Sequence, residues 1–182
     1  MRIRLLLNTA TAAALLVALS TGTTTGAEAA STATTFSVGG AALTVTAPAT
    51  ADLGSGTLGG TVSGQIGVVT VNDARGANPA AWSADVSSTA FTTGSGGPSA
   101  TVPNSDVSYW SGPSTATSGS GTFTPGEANA AAAVTLTTSQ EAFSMTGGAG
   151  GNSCSWNPTV IVALPSTLQT GSYTGTVTHS VA

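Results

Sequence analysis

Residues 65–92 read QIGVVTVNDARGANPAAWSADVSSTAFT and contain two extended segments on either side of an Asp-Ala-Arg-Gly turn. In the second segment the apolar residues Trp82, Ala84 and Val86 alternate with small or polar residues. Successive side chains of a strand point to opposite faces, so this period is typical of a half-buried strand. We therefore predict that Trp82 points into a hydrophobic core.

The C-terminal residues 172–181 show the same alternation. Tyr173, Val177, His179 and Val181 fall on one face, and threonine and serine occupy the other. Two strands of this kind, far apart in sequence, predict a sheet that joins distant parts of the chain.

Residues 1–29 have the features of a signal peptide. Arg2 and Arg4 precede an apolar run over residues 5–19, and Ala27-Glu28-Ala29 has the small-x-small form of a cleavage site. The apolar run is short for a bilayer span, which needs about 20 residues, and no later segment approaches that length. We expect an extracellular mature chain, residues 30–182, that forms a single domain without a transmembrane segment.

Charged residues make up 5% of the chain, compared with roughly 25% in typical globular proteins. Beyond residue 29, Arg75 is the only lysine or arginine, and the carboxylates are Asp52, Asp73, Asp85, Asp106, Glu127 and Glu141. Nucleic acids and anionic lipids are bound through many cationic contacts. This composition excludes both as partners.

Short apolar or alternating runs are separated by glycine, proline and asparagine. The strand candidates are residues 34–38, 42–46, 65–72, 81–92, 107–110, 115–124, 132–138, 142–146, 155–164 and 172–181. Residues 52–64 form a glycine-rich connection, and the stretches 111–121 and 147–151 are typical of flexible loops. The spacing predicts an all-β antiparallel sandwich of immunoglobulin-like or Greek-key type, with little or no helix.

The residues that usually carry chemistry are few. Cys154 is the only cysteine, and a small buried hydrophobe is its simplest interpretation. One histidine and scattered carboxylates predict no metal site, although calcium between loop aspartates stays an alternative. A Ser-His-Asp arrangement would need His179, which the strand pattern turns inward. We expect no catalysis and no cofactor.

Two pairs of residues are candidates for a site or its support. Tyr109 and Trp110 are neighbours on a predicted strand, so if one is in the core the other is exposed. Trp110 is the better surface candidate, because exposed aromatic side chains stack on sugars or anchor protein contacts. Asp73 and Arg75 flank the turn, and we expect them to form an ion pair or to bond to the turn backbone.

Three segments together resemble the WxL domain of Gram-positive surface proteins. They are Val69-Thr70-Val71-Asn72-Asp73-Ala74-Arg75-Gly76, the Trp82-x-Ala84 motif, and residues 171–181, GSYTGTVTHSV, preceded by Pro165. The family has a Val-x-Asp-x-Arg-Gly segment before a first Trp-x-Leu, and a Gly-x-Tyr leading into a second. Here Ala84, His179 and Val181 replace the family's Leu, Trp and Leu, as in a divergent actinobacterial branch.

The resemblance implies a secreted domain that associates non-covalently with the cell wall, through peptidoglycan or an attached glycopolymer. Candidate binding residues are Trp82, Tyr109, Trp110 and His179. If the family's motif residues bind the wall directly, the three replacements put that activity in doubt. The alternative is a structural or adhesive surface protein that acts through protein partners, with uncharged threonine-rich faces and sheet edges that accept another strand.

Overall fold

The computed structural model describes residues 33–37 and 39–182. The chain divides into two compact units, residues 1–37 and 38–182. Residues 33–37 of the first unit are exposed and have no regular secondary structure, so the predicted strand at 34–38 is absent from its described part. The predicted signal peptide and its cleavage site lie outside the described residues.

The second unit is built from strands, which confirms the predicted all-β class. The strands are Leu43–Thr46 (β1), Thr61–Gln65 (β2), Val69–Asp73 (β3), Ala80–Ser88 (β4), Phe91–Thr92 (β5), Thr101–Val102 (β6), Val107–Trp110 (β7), Ser114–Ser118 (β8), Thr122–Pro125 (β9), Val134–Thr135 (β10), Gln140–Gly148 (β11), Asn152–Trp156 (β12), Thr159–Ala163 (β13) and Val177–Val181 (β14). Helical structure in the described part is limited to the short 3-10 turns Pro98–Ala100, Asn104–Asp106 and Ala130–Ala132.

The strands form three four-stranded sheets and one two-stranded sheet, and every pairing is antiparallel. The strand order is β1-β3-β12-β8 in the first sheet, β10-β7-β13-β2 in the second, and β14-β4-β11-β9 in the third. In the three larger sheets neighbouring strands are never consecutive along the chain, so every pairing there joins segments that are separated by at least one other strand. The sheets pack as a sandwich around one core.

The core follows the alternation of the sequence. Trp82, Ala84 and Val86 of β4 are buried, and Trp82 is only 3% exposed, as predicted. The last strand, β14, pairs with β4 and sets His179 opposite Val86. The expectation that distant parts of the chain share a sheet is therefore confirmed.

Several predicted strands are wrong in extent, and in two of them proline or glycine interrupts the run. The segment 155–164 is divided at Asn157-Pro158 into β12 and β13, since proline cannot donate to a ladder. The segment 65–72 is divided between the end of β2 and the start of β3, and β2 also occupies the end of the predicted connection 52–64. The segment 81–92 becomes β4 and β5, and the segment 132–138 keeps only β10 and part of a 3-10 turn.

The predicted loops are also corrected. Residues 111–121 are not a loop throughout, because β8 occupies Ser114–Ser118. The chain turns at Gly119, whose φ is +83° and where an added Cβ would lie 2.6 Å from the carbonyl oxygen of Gly151. That turn separates β8 from β9 and divides the predicted strand 115–124. The predicted loop 147–151 is too long, because β11 continues to Gly148 and only residues 149–151 connect it to β12.

Candidate functional site

The turn after β3 and the tryptophan of β4 belong to one hydrogen-bonded network. Nε of Arg75 lies 2.9 Å from Oδ1 of Asp73, and Nη2 lies 3.0 Å from Oδ2, so the pair is bidentate. Nη2 of Arg75 also donates to the carbonyl oxygen of Ala81, at 2.7 Å. The guanidinium thus joins the turn to the strand that carries Trp82.

Asn152 of β12 completes this network from the other side. The indole Nε1 of Trp82 donates to Oδ1 of Asn152 at 2.8 Å, and Nδ2 of Asn152 lies 3.5 Å from Oδ2 of Asp73. Asp73 is fully buried, whereas the Arg75 side chain is 35% exposed. The bonds from Arg75 hold the pKa of Asp73 below its ordinary value, and the partner carboxylate raises the pKa of Arg75. We call Trp82, Asn152, Asp73 and Arg75 the first cluster.

A second cluster, Tyr109, Trp156 and His179, lies where the three large sheets meet. The indole Nε1 of Trp156 donates to the Tyr109 hydroxyl at 3.0 Å, and that hydroxyl lies 3.1 Å from Nε2 of His179. The ring of Trp156 stacks on Phe143 with centroids 5.0 Å apart. Tyr109 and Trp156 are fully buried, so they form part of the core.

One ring nitrogen of this cluster has no hydrogen-bond partner among the described residues. Because Trp156 supplies a proton to the Tyr109 oxygen, the tyrosine proton is free to donate to Nε2 of His179, which leaves the ring proton on Nδ1. Nδ1 is buried without a hydrogen-bond partner in the part of the chain that the structure describes. Burial lowers the pKa of His179 to about 4, and it raises the pKa of Tyr109.

Glu127 is a buried carboxyl that the sequence did not single out. It is 5% exposed, and its Oε2 has no partner within residues 33–37 and 39–182. Burial, with a smaller contribution from the charge of Glu141, raises its pKa to about 7. Its backbone is held by Ser111, whose hydroxyl bonds to both the Glu127 carbonyl and amide. No local pattern marks it, because its neighbours are glycine, alanine and asparagine.

The outward face of the second sheet carries Trp110. Tyr109 and Trp110 do point to opposite sides of β7, with Tyr109 buried and Trp110 half-buried. The pairings place Trp110, Thr159 and Gln65 in one row across the sheet, and Ser108, Ile161 and Ser63 in the next. None of these side chains is charged. We call this surface the Trp110 face.

The indole of Trp110 has a neighbour that limits its movement. A Cβ added at Gly112, whose φ is +71°, would lie 3.2 Å from the indole Cζ3. The turn at Gly112 therefore packs against the ring, and the amide of Gly112 is itself held by the carbonyl of Glu127 at 2.9 Å. An aromatic side chain that already packs against a neighbour has less conformational entropy to lose when a ligand covers it.

Two adjoining cavities open beside the inner face of the second sheet. The larger, about 700 Å³, is lined by Val62, Phe91, Leu168 and Tyr173 among others. The smaller, about 350 Å³, shares Leu53 and Phe91 with it and reaches His179. Their lining is mainly apolar side chains, hydroxyls and backbone, with the polar side chains of Asp52 and Gln169 in the larger cavity and His179 in the smaller. Such volumes suit small molecules.

The structure brings only some of the candidate residues together. Tyr109 and His179 are in contact, Trp82 lies in the first cluster, and Trp110 stands apart on the outer surface. Cys154 is a free, fully buried thiol whose pKa burial raises to about 11. In the described residues no group of three or more histidine, cysteine, aspartate or glutamate side chains is placed to hold a metal ion.

Among the described residues, no helix is both long and apolar enough to cross a bilayer. Comparisons with protein-family models, with curated proteins and with solved structures returned no match.

Proposed function

We propose that this chain is a secreted, non-catalytic domain that associates non-covalently with the Gram-positive cell wall, through peptidoglycan or an attached glycopolymer. The observation that carries the proposal is the Trp110 face: an uncharged sheet surface with one fixed, half-buried indole among hydroxyl and amide side chains. No cofactor is part of the proposal.

A sugar ring has an apolar C–H face and a rim of hydroxyls. The Trp110 ring offers an apolar surface for the C–H face, because an aromatic side chain buries a large area while the indole N–H can still donate a hydrogen bond. Ser108 on the same strand, and Ser63 and Gln65 two strands away in the same rows, supply donors and acceptors for the hydroxyl rim. Binding of a sugar in this way does not depend on charged side chains. This agrees with the rows of the Trp110 face, which contain no charged residue.

We also propose that the chain is a divergent WxL-type domain. The support is that the Val-x-Asp-x-Arg-Gly segment and the first Trp motif meet in the first cluster, through Asp73, Asn152 and Trp82. The replaced motif positions face inward, with Ala84 buried and His179 and Val181 half-buried. Wall contact through Trp110 therefore does not require the lost Trp-x-Leu side chains.

The alternative function is a structural or adhesive surface protein that binds protein partners. The observation that favours it is an open strand edge on the second sheet, since β2 pairs with β13 on one side and with no described strand on the other. Under this alternative, retention on cells requires a second surface protein.

The test is co-sedimentation of the exported chain with purified sacculi, at low and high salt. We expect pelleting that is insensitive to salt, and its loss in a Trp110→Ala variant that keeps its native unfolding transition. Tyr173→Ala is the matched control, because it removes a half-buried aromatic side chain from the cavities instead of the Trp110 face. If Tyr173→Ala abolishes pelleting and Trp110→Ala does not, the proposed face is wrong. If the native chain does not pellet, the wall-binding proposal is wrong.

A further inference from the structure

The edge of β2 has a regular row of unpaired backbone groups. Gly60 accepts a bond from the amide of Leu164 at 2.9 Å, and Ile66 donates to the carbonyl of Pro158 at 3.1 Å, so both point toward β13. Backbone direction alternates along a strand. The amides and carbonyls of Thr61, Ser63 and Gln65 therefore point away from β13, where no described strand pairs with them.

This edge lacks the features that usually prevent strand addition. Natural edge strands carry lysine, proline or a bulge, or are very short. The strand Thr61-Val62-Ser63-Gly64-Gln65 has no charge and no proline, and its register with β13 is unbroken over all five residues. By contrast β10 has two residues, β9 ends in Pro125, and β8 has a register shift between Ser114 and Ala116.

The same edge is complementary to itself. A two-fold axis through Ser63 pairs Ser63 with Ser63 of a second copy, and Thr61 with Gln65. These are the residues whose backbone groups point outward, so each pair can exchange two hydrogen bonds. Polar side chains then face one another on the outer side, which stabilises antiparallel pairs.

The inner side of such a pairing is also complementary. Val62 of one copy falls opposite Gly64 of the other, where it packs beside the Leu53 that covers this glycine. Leu53 lies over Gly64, since an added Cβ there would be 3.3 Å from its Cα and Cδ2. The contact on this side is therefore apolar, with no charged group among the paired residues.

We propose that β2 is a self-association edge, and that its partner is β2 of a second copy of this chain. The second sheet then continues across the two-fold axis as β10-β7-β13-β2 followed by the same strands in reverse order. A single strand pair is a small interface, so the dimer is weak and depends on concentration. The pairing also sets the two Trp110 faces on the same side of one sheet, a consequence that matters for wall binding only if the proposed function holds.

Cysteine cross-linking tests the register directly. Across the axis the two Ser63 Cα atoms are about 5.5 Å apart, as in any hydrogen-bonded antiparallel pair, which lies inside the disulfide range of about 4.4 to 6.8 Å. The two Thr61 Cα atoms are offset by four residues, about 13 Å, and cannot be bridged. We expect a covalent dimer from Ser63→Cys on mild oxidation, none from Thr61→Cys, and a covalent dimer from the double variant Thr61→Cys, Gln65→Cys.

Cys154 is buried and does not interfere, so the unsubstituted chain serves as the background control. Sedimentation of a Ser63→Lys variant gives a second measurement, because two ammonium groups placed directly opposite repel each other. We expect the native chain to dimerise with rising concentration and Ser63→Lys to stay monomeric. Equal cross-linking of Ser63→Cys and Thr61→Cys, or no cross-linking of Ser63→Cys, would overturn the proposal. Neither result depends on wall binding.

Discussion

The two polar clusters in the core differ in how completely their hydrogen bonds are satisfied. In the first cluster Trp82, Asn152, Asp73 and Arg75 bond to one another in a continuous chain. In the second, Tyr109 bonds to Trp156 and His179, but Nδ1 of His179 has no described partner. Trp82 of the first cluster matches the first tryptophan of the WxL pattern that the sequence resembles, whereas His179 of the second cluster stands where that pattern has its second tryptophan.

This difference indicates which part of the core tolerates change. A closed network loses several bonds when one member is removed, and leaves buried groups unpaired. A cluster that already contains an unpaired buried atom loses less stability when one of its members is removed. The first cluster should therefore dominate stability, and the second, together with the buried Glu127, should govern how stability depends on pH.

The largest effect should come from Asp73→Ala. It removes the partner of Arg75 and the acceptor for Asn152, so the free energy of unfolding should fall by about 3 kcal/mol. Because the native pKa of Asp73 is lowered, its contribution is present above the ordinary value of 3.8 and is lost as pH falls below it. Urea unfolding at pH 6 measures the change.

Asp85→Ala is the control for that measurement. Asp85 lies on the exposed side of β4, and surface substitutions of this kind change stability by about 0.5 kcal/mol or less. Similar costs for the two variants would show that the first cluster is not the dominant network.

Glu127→Gln should give a smaller effect that depends on pH. The native pKa of Glu127 is raised from 4.5 to about 7. Between those values the unfolded chain ionises while the folded chain keeps its proton, so stability falls as pH rises through that window. Glu127→Gln removes this loss, and its stability relative to the native chain should rise by about 2 kcal/mol between pH 4 and pH 6. A difference that does not vary with pH contradicts the assignment.

The stability of His179→Phe relative to the native chain should change with pH in the opposite direction, rising as pH falls. The native pKa of His179 is lowered from 6.5 to about 4, so the unfolded chain takes up a proton first and stability falls as pH decreases through that window. Over the same pH range Glu127 lowers stability as pH rises and His179 lowers it as pH falls. The stability of the native chain therefore varies little with pH. In His179→Phe the stability measured by thermal unfolding should therefore increase as pH falls from 6.5 to 4.5, and a profile parallel to that of the native chain would refute this explanation.

Local patterns in the sequence were sufficient for the fold class and for the ion pair. The alternation around Trp82 and His179 predicted two inward-facing strands, and Asp73 and Arg75 are close enough in sequence to meet across a turn. Strand ends were less accurate, because Asn157-Pro158 and Gly119 interrupt runs whose composition is otherwise continuous.

The hydrogen-bond partners that are distant in sequence could not be predicted from local patterns. Asn152 lies 70 residues from Trp82, and Trp156 lies 47 residues from Tyr109. Nothing near Asn152, Trp156 or Glu127 in the sequence marks them as members of a buried network, since their pairing depends on strand order. Sequence reasoning could identify Trp110 as a surface candidate, but not the uncharged rows that surround it.

Fluorescence quenching tests the central claim, glycan contact at Trp110, most directly. Trp82 and Trp156 are buried and Trp110 is half-buried, so acrylamide should quench Trp110 preferentially among the chain's three tryptophans. We predict that soluble peptidoglycan fragments protect the native chain from quenching, and that a Trp110→Phe variant shows no protection of its remaining tryptophans. Saturating fragments that leave the quenching of the native chain unchanged would contradict the account.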